Sequence, residues 1–159
     1  MSRNLHHANL LVGTSEEAEA YLHSLCHGLG VELPNNPDFF SFKMETFGID
    51  EARELRLLSV RKAVSGRKFF FITPGRLTLE AQNALLKTFE DPFPLTFFFL
   101  VVREEGLIVP TLRSRMQTIH VRYGDSTSVS VEAEKFLLLP IKERLLFAKK
   151  FAEEEKSLP

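Results

Sequence analysis

Phe69-Phe70-Phe71-Ile72, then Leu77-Thr78-Leu79-Glu80-Ala81-Gln82-Asn83-Ala84-Leu85-Leu86-Lys87-Thr88-Phe89-Glu90-Asp91-Pro92, then Phe97-Phe98-Phe99-Leu100-Val101-Val102: the reading of this stretch decides the fold. Its two outer runs are continuously apolar and do not alternate. A strand with one wet face alternates; a strand covered on both faces does not. An aromatic cofactor box is a sharper reading of the Phe runs, but aromatic residues are what strands ordinarily collect. The segment between the runs is predicted to be a helix from Thr78 to Glu90. Two doubly buried strands joined by a helix make the repeating unit of a parallel sheet.

The pattern continues outward. Leu5 to Val12 ends in a short apolar run and then Gly13, which reads as strand and turn. Thr14 opens a helix whose Ala18, Leu22, Leu25 and Leu29 recur at helical spacing. Gly28, Gly30, Pro34 and Pro37 mark a connection, and Asp38 to Lys43 reads as a strand. Asp50 is the expected cap of a helix running to about Val64, which Ser65-Gly66 ends. Met116 to Val121 is the last strand. The order implies an α/β fold, a three-layer sandwich on a mainly parallel sheet, over residues 1–123. The polar run Gly124-Asp125-Ser126-Thr127-Ser128 reads as a linker over 124–130. Residues 131–159 read as a helical segment, with Pro140 near the start of its second helix and an apolar stripe of Ile141, Leu145, Ala148 and Ala152.

Bulk properties narrow the function. The 159 residues are 44% hydrophobic and 26% charged, the balance of a globular protein with its own core. A formal net charge of −1 argues against a generally basic nucleic-acid binder and leaves room for a local basic patch. Cys26 is the only cysteine, so no intrachain disulfide forms. No apolar stretch approaches the ~20 residues of a membrane span, and Ser2 to His7 lacks a signal-peptide core; a cytoplasmic protein is expected. Fifteen Phe stand against two Tyr and no Trp, so most rings are expected to fill core rather than form a recognition face. His6, His7, His23, His27 and His120 invite a metal reading, but Cys26 and His27 alone cannot close a tetrahedral site. No Ser/His/Asp or Cys/His set is recognisable by spacing, and Glu16-Glu17 and Glu104-Glu105 read as solvated acids. No cofactor is expected.

The Leu77–Pro92 run, followed by Pro110-Thr111-Leu112-Arg113-Ser114-Arg115-Met116-Gln117, resembles the AAA+ subunits of the bacterial clamp loader, of delta-prime or gamma type. Asn36-Pro37-Asp38-Phe39 resembles that family's His-Pro-Asp segment, and Ile49-Asp50-Glu51-Ala52-Arg53-Glu54-Leu55 its Ile-Asp-x-Ile-Arg-x-Leu helix start. The likeness covers about residues 5 to 122, and the segment after 131 resembles the start of the family's lid domain. The resemblance implies a P-loop NTPase-like (AAA+) fold within DNA polymerase III. The implied partners are a gamma/tau-like ATPase, the delta subunit, the sliding clamp and primer-template DNA.

Against that family the chain departs at the nucleotide site. A phosphate-binding loop needs glycines whose amides wrap the phosphates, a Lys, and a Ser or Thr for magnesium. The matching segment, Val12-Gly13-Thr14-Ser15-Glu16-Glu17-Ala18-Glu19, keeps Gly13 and loses the later glycine and the lysine. Thr14 and Glu17 have capping-box spacing, which would occupy amides a phosphate would use. Glu16 and Glu17 also carry like charge toward a phosphate; two unit charges ~5 Å apart repel by roughly 3 kcal/mol at an effective dielectric of ~20. Ile72 and Thr73 stand where the paired acids should be, and Val102 where a polar sensor should be. The expectation is a degenerate site without ATP hydrolysis.

Other residues keep the family pattern. Arg115 matches the Ser-Arg-Cys arginine that acts in trans on a neighbour's ATP, with Met116 in place of Cys; Arg113 is out of register. Arg53, Arg56, Arg61 and Lys62, with Arg67 and Lys68, face only Glu54 as a local acid. In the family's arrangement such a helix meets DNA phosphates; otherwise it is a solvated face. Gln82, Asn83 and Lys87, with Ser114 and Arg115, fall where the family couples to partners, although Asn83 equally suits an internal tie. The resulting reading is a non-catalytic, delta-prime-like subunit. An active gamma-type ATPase and a stand-alone DNA- or protein-binding module are the other two readings.

Overall fold

A computed structural model describes residues 5–122. The linker and helical segment expected at 124–159 lie outside the described residues. Five strands, β1 (Ala8–Val12), β2 (Phe39–Phe47), β3 (Lys68–Leu77), β4 (Thr96–Val102) and β5 (Gln117–His120), form one sheet in the order β2-β3-β4-β1-β5. Every neighbouring pair is parallel. The helices are α1 (Ser15–Gly28), α2 (Ile49–Ser59), α3 (Leu79–Glu90) and the short α4 (Pro110–Arg113), with a 3-10 turn at Glu105–Leu107.

Crossover handedness distributes the helices. The step from β1 to β2 runs toward one edge of the sheet, and every later step runs back. Right-handed crossovers therefore put α1 on one face and α2, α3 and α4 on the other. Side chains alternate between these faces. Phe70, Ile72, Phe98 and Leu100 pack with Ala52, Leu55, Leu85 and Phe89. Phe69, Phe71, Phe99 and Val101 pack with Ala18, Leu22 and Cys26. Both faces are covered, which explains the unbroken apolar runs. Register places Phe40 opposite Phe70 and Phe70 opposite Phe98. Their ring centroids lie 4.9 and 5.1 Å apart, so the rings stack across three strands. Burying one such ring stabilises by about 1.5–3 kcal/mol. Burial also pushes the Cys26 thiol up to about 12, leaving it a core residue rather than a nucleophile.

Helix α2 departs from expectation at both ends. Its cap position is Gly48, whose N–H donates to Glu51 Oε2 at 2.8 Å. Asp50 sits in the first turn, where its charge suits the helix dipole, and is not the cap. The helix ends at Ser59, not near Val64. The buried Asp38 carboxylate accepts the Val64 N–H at 2.9 Å and also the amide and hydroxyl of Ser65. Lys68 donates its ammonium to the carbonyls of Leu58, Ser59 and Arg61 and caps the helix end. Lys68 is 1% exposed, so it leaves the solvent-facing basic group in which its sequence position places it.

Burial pushes the Asp38 carboxyl up. The Ser65 hydroxyl, the Val64 and Ser65 amides and the Lys68 charge together outweigh burial and hold it below the usual carboxylate range. Burial pulls Lys68 down, offset in part by Asp38. A depressed Asp38 stabilises the fold above the ordinary Asp value of about 3.9, and that contribution is lost as pH falls through the folded value. The depressed Lys68 acts at the alkaline end, where stability rises with pH from its folded value toward the ordinary lysine value of about 10.4. Asp38→Ala, which strands two amides and removes the charge that offsets the burial of Lys68, is expected to cost about 2–4 kcal/mol in urea unfolding at neutral pH. The loss should shrink in acid, where the native carboxyl is protonated; a loss independent of pH would contradict the assignment.

Candidate functional site

An open parallel sheet offers its ligand crevice at the carboxyl ends of its strands. Here only Gly13 and Thr14 separate β1 from α1. A phosphate loop starting at Gly13 would need its second glycine at 18, its lysine at 19 and its hydroxyl at 20. Ala18, Glu19 and Ala20 occupy those places, and they already belong to α1. No loop remains to wrap a phosphate. Thr14 Oγ1 accepts the Glu17 N–H at 3.2 Å, and Glu17 Oε2 accepts the Thr14 N–H at 2.9 Å. The expected capping box is therefore present. The Gly13 N–H donates to the Val102 carbonyl at 2.9 Å, and the Ala18 N–H to the Thr14 carbonyl at 3.0 Å. A Cβ on Gly13 would lie 2.3 Å from the Val121 carbonyl oxygen and 2.8 Å from Glu17 Oε2. Glycine is required for the chain leaving β5 to close over the exit of β1.

A crevice of about 780 Å³ remains beside this exit, lined in part by Gly13, Ser15, Thr73 and Val102. That volume would hold a small ligand. Its chemistry differs from that of a magnesium-nucleotide site. Ile72 is fully buried opposite Leu100, and Val102 is buried and apolar. The Thr73 hydroxyl is buried and has no hydrogen-bond partner among the described residues. These three positions offer a metal one hydroxyl and no carboxylate. Lys43, Arg76 and Arg103 also line the crevice, together with Glu45. Sequence reading did not single out these cations. Lys43 and Arg76 reach the rim because β2 and β3 run on to Phe47 and Leu77, with Lys43 opposite Thr73, and Arg103 directly follows β4.

Arg115 lies at the other end of the sheet. It immediately precedes Met116 and β5, and β5 runs parallel to β1. At ~3.3 Å per residue, the chain from Arg115 to Val121 spans roughly 20 Å. Arg115 therefore lies at the opposite end of the sheet from its own domain's crevice. Its guanidinium is held by Glu90, the last residue of α3, and Nη1 donates to the Thr111 carbonyl at 2.6 Å. Ser114 Oγ donates to the Thr111 carbonyl at 2.9 Å. Arg113 Nη1 donates to the Glu105 carbonyl at 3.4 Å. Glu90 was not singled out from sequence; the available signal is an acid at a helix C-terminus, where the dipole disfavours it.

The remaining expected site residues are dispersed. Gln82 is buried; its amide donates to the Leu107 carbonyl at 3.2 Å and accepts the Val109 N–H at 2.8 Å. It ties α3 to the segment preceding α4. Asn83 and Lys87 are exposed on α3. Arg53, Arg56, Arg61 and Lys62 are exposed on and just beyond α2. Arg53 lies 3.8 Å from Asp50, an exposed pair of little energetic weight. The histidines serve local ties: His7 Nε2 meets the Phe89 carbonyl at 2.8 Å, and His120 Nε2 pairs with Glu105 at 2.8 Å. Among the described residues, no three His, Cys, Asp or Glu side chains gather as a metal-binding group.

A family model described as DNA polymerase III, delta subunit, matches residues 2–124. The chain is 37% identical over 103 residues to DNA polymerase III subunit delta' of Escherichia coli K12, covering 58% of this chain and 31% of that protein. It is 31% identical over 98 residues to the subunit of the same name from Haemophilus influenzae, covering 58% and 30% respectively. The match therefore spans about a third of the length of these relatives. A crystal structure of a DNA polymerase III gamma subunit-related protein from Thermotoga maritima superposes with a TM-score of 0.62. It covers 76% of this chain and 42% of that one, at 25% identity.

The closure of β5 over Gly13 has a measurable consequence. Gly13→Ala must displace backbone as well as the Glu17 side chain, and is expected to destabilise by about 1–3 kcal/mol. A lowered urea midpoint checks this; an unchanged midpoint would mean that β5 does not seal the β1 exit.

Proposed function

This chain belongs to the DNA polymerase III delta subunit family, and from that premise we propose that it serves as a non-catalytic, delta-prime-like clamp-loader subunit in the cytoplasm. The observation that carries the non-catalytic part is the β1 exit. Two residues separate α1 from β1, the Thr14 and Glu17 amides are engaged in a capping box, and the lysine position holds Glu19. Positioning and electrostatic stabilisation are nearly all a phosphoryl-transfer site supplies, and both have been removed here.

Arg115 is the residue proposed to act, and it acts in trans. Its place at the amino end of the sheet, away from its own domain's crevice, supports this. A guanidinium supplies a permanent charge and a rigid set of donors for phosphate oxygens. The proposed partners are an adjacent gamma/tau-like ATPase and a delta subunit, with the sliding clamp and primer-template DNA as what the assembly handles. Ser114, Asn83 and Lys87 lie on elements proposed to couple to those partners. Gln82 is proposed to act through the internal tie it makes to Leu107 and Val109.

Arg53, Arg56, Arg61 and Lys62 are proposed to meet DNA phosphates. Their exposure supports this, as does the absence of acid partners for Arg56, Arg61 and Lys62 among the described residues. Such contacts are sequence-independent and weaken steeply with salt.

The test is the assembled complex. Arg115→Ala is expected to lower ATP turnover at the facing site by roughly 10³-fold, the scale of a trans-acting arginine, without lowering the melting temperature of this chain. Unchanged turnover in a complex that still assembles would remove the role from Arg115.

A further inference from the structure

The hold on Arg115 is more specific than an ordinary surface ion pair. Nε donates to Glu90 Oε1 at 2.7 Å, Nη2 pairs with the same oxygen, and Nη1 donates to the Thr111 carbonyl at 2.6 Å. All three nitrogens are engaged, by groups from two different elements. Arginine carries five N–H donors in a fixed plane. Nε has one and it is used; Nη1 and Nη2 have two each, and one on each remains. The Arg115 side chain is 35% exposed and that of Glu90 48%, so the pair stands at the surface.

Glu90 stands where helix energetics would not put it. It is the last residue of α3, at the negative end of the helix dipole, beside Asp91. The cations there are Lys87 in the last turn, Arg115 and, if protonated, His7 on the Phe89 carbonyl. An exposed pair adds little to stability, so folding alone gives a weak reason for the arrangement. Geometry gives a stronger one. A free arginine samples many rotamers, whereas this one is fixed at three nitrogens and keeps two donors uncommitted. Two such donors suit an oxyanion gripped by both.

We infer that Glu90 is the positioning residue for Arg115, holding the guanidinium so that its remaining Nη1 and Nη2 donors meet a phosphate oxygen presented by an adjacent chain. This rests on the trans-acting reading of Arg115. Glu90 touches no phosphate itself; it acts through the arginine.

The experiment compares the wild-type chain with Glu90→Ala, Glu90→Gln and Arg115→Ala, each assembled with the ATP-binding partner and assayed with ATP and magnesium. Glu90→Ala releases the guanidinium and is expected to lower kcat by roughly tenfold with KM little changed, a loss confined to transition-state stabilisation. Glu90→Gln keeps an acceptor oxygen and restores turnover to within about twofold of wild type. Thermal melting of the variants should match wild type. If Arg115→Ala abolishes turnover while Glu90→Ala leaves it at the wild-type level, the trans-acting arginine stands and the positioning role falls. A rise in turnover on Glu90→Ala also overturns it, since Glu90 would then restrain the arginine. If Arg115→Ala itself changes nothing, both readings fall together.

Discussion

The distance between the end of β1 and the start of α1 constrains everything functional in this fold. Two residues leave β1, and the chain is already helical at Ser15. A phosphate-wrapping loop needs several residues in extended and glycine-dependent conformations before the helix begins. Here the Thr14–Glu17 box closes that space with the protein's own hydrogen bonds, and the Val121 carbonyl packs against Gly13. The change is stabilising locally, because capping satisfies amides that a helix start otherwise leaves open. The cap engages amides at the β1 exit within an intact sheet architecture.

The sheet explains why the scaffold persists. β1 pairs with β4 on one side and β5 on the other, and phenylalanines from β2, β3 and β4 stack across it. Little of this core depends on the crevice. The carboxyl end of the sheet carries Ile72 and Thr73 and a helix that starts at Ser15, while the amino end carries Arg115 fixed against the end of α3. The two ends are a strand length apart, so change at one leaves the other in place.

Periodicity made the sheet legible. Unbroken apolar runs at Phe69–Ile72 and Phe97–Val102 reported burial on both faces, and Thr14 with Glu17 reported a cap through local spacing alone. What sequence did not reveal depends on contacts far along the chain. Helix α2 stops at Ser59 because Asp38, more than twenty residues earlier, grips Val64 and Ser65. Lys68 reads as one more surface cation, but the carbonyls that bury its ammonium come together only after the chain has turned. Asp50 looks like a cap by type, yet Gly48 and Glu51 supply the start of that helix. Glu90 and Arg115 are 25 residues apart in sequence, and no local pattern joins them. The cations of the crevice were missed for a related reason, since the length of β2 is set by pairing with β3.

The most direct measurement is calorimetric titration of the intact chain with ATP in the presence of magnesium. If the β1 exit is sealed by its own cap, no saturable binding develops up to millimolar nucleotide. One-to-one binding with a micromolar dissociation constant would contradict the conversion of this pocket into scaffold and would restore the case for an active ATPase.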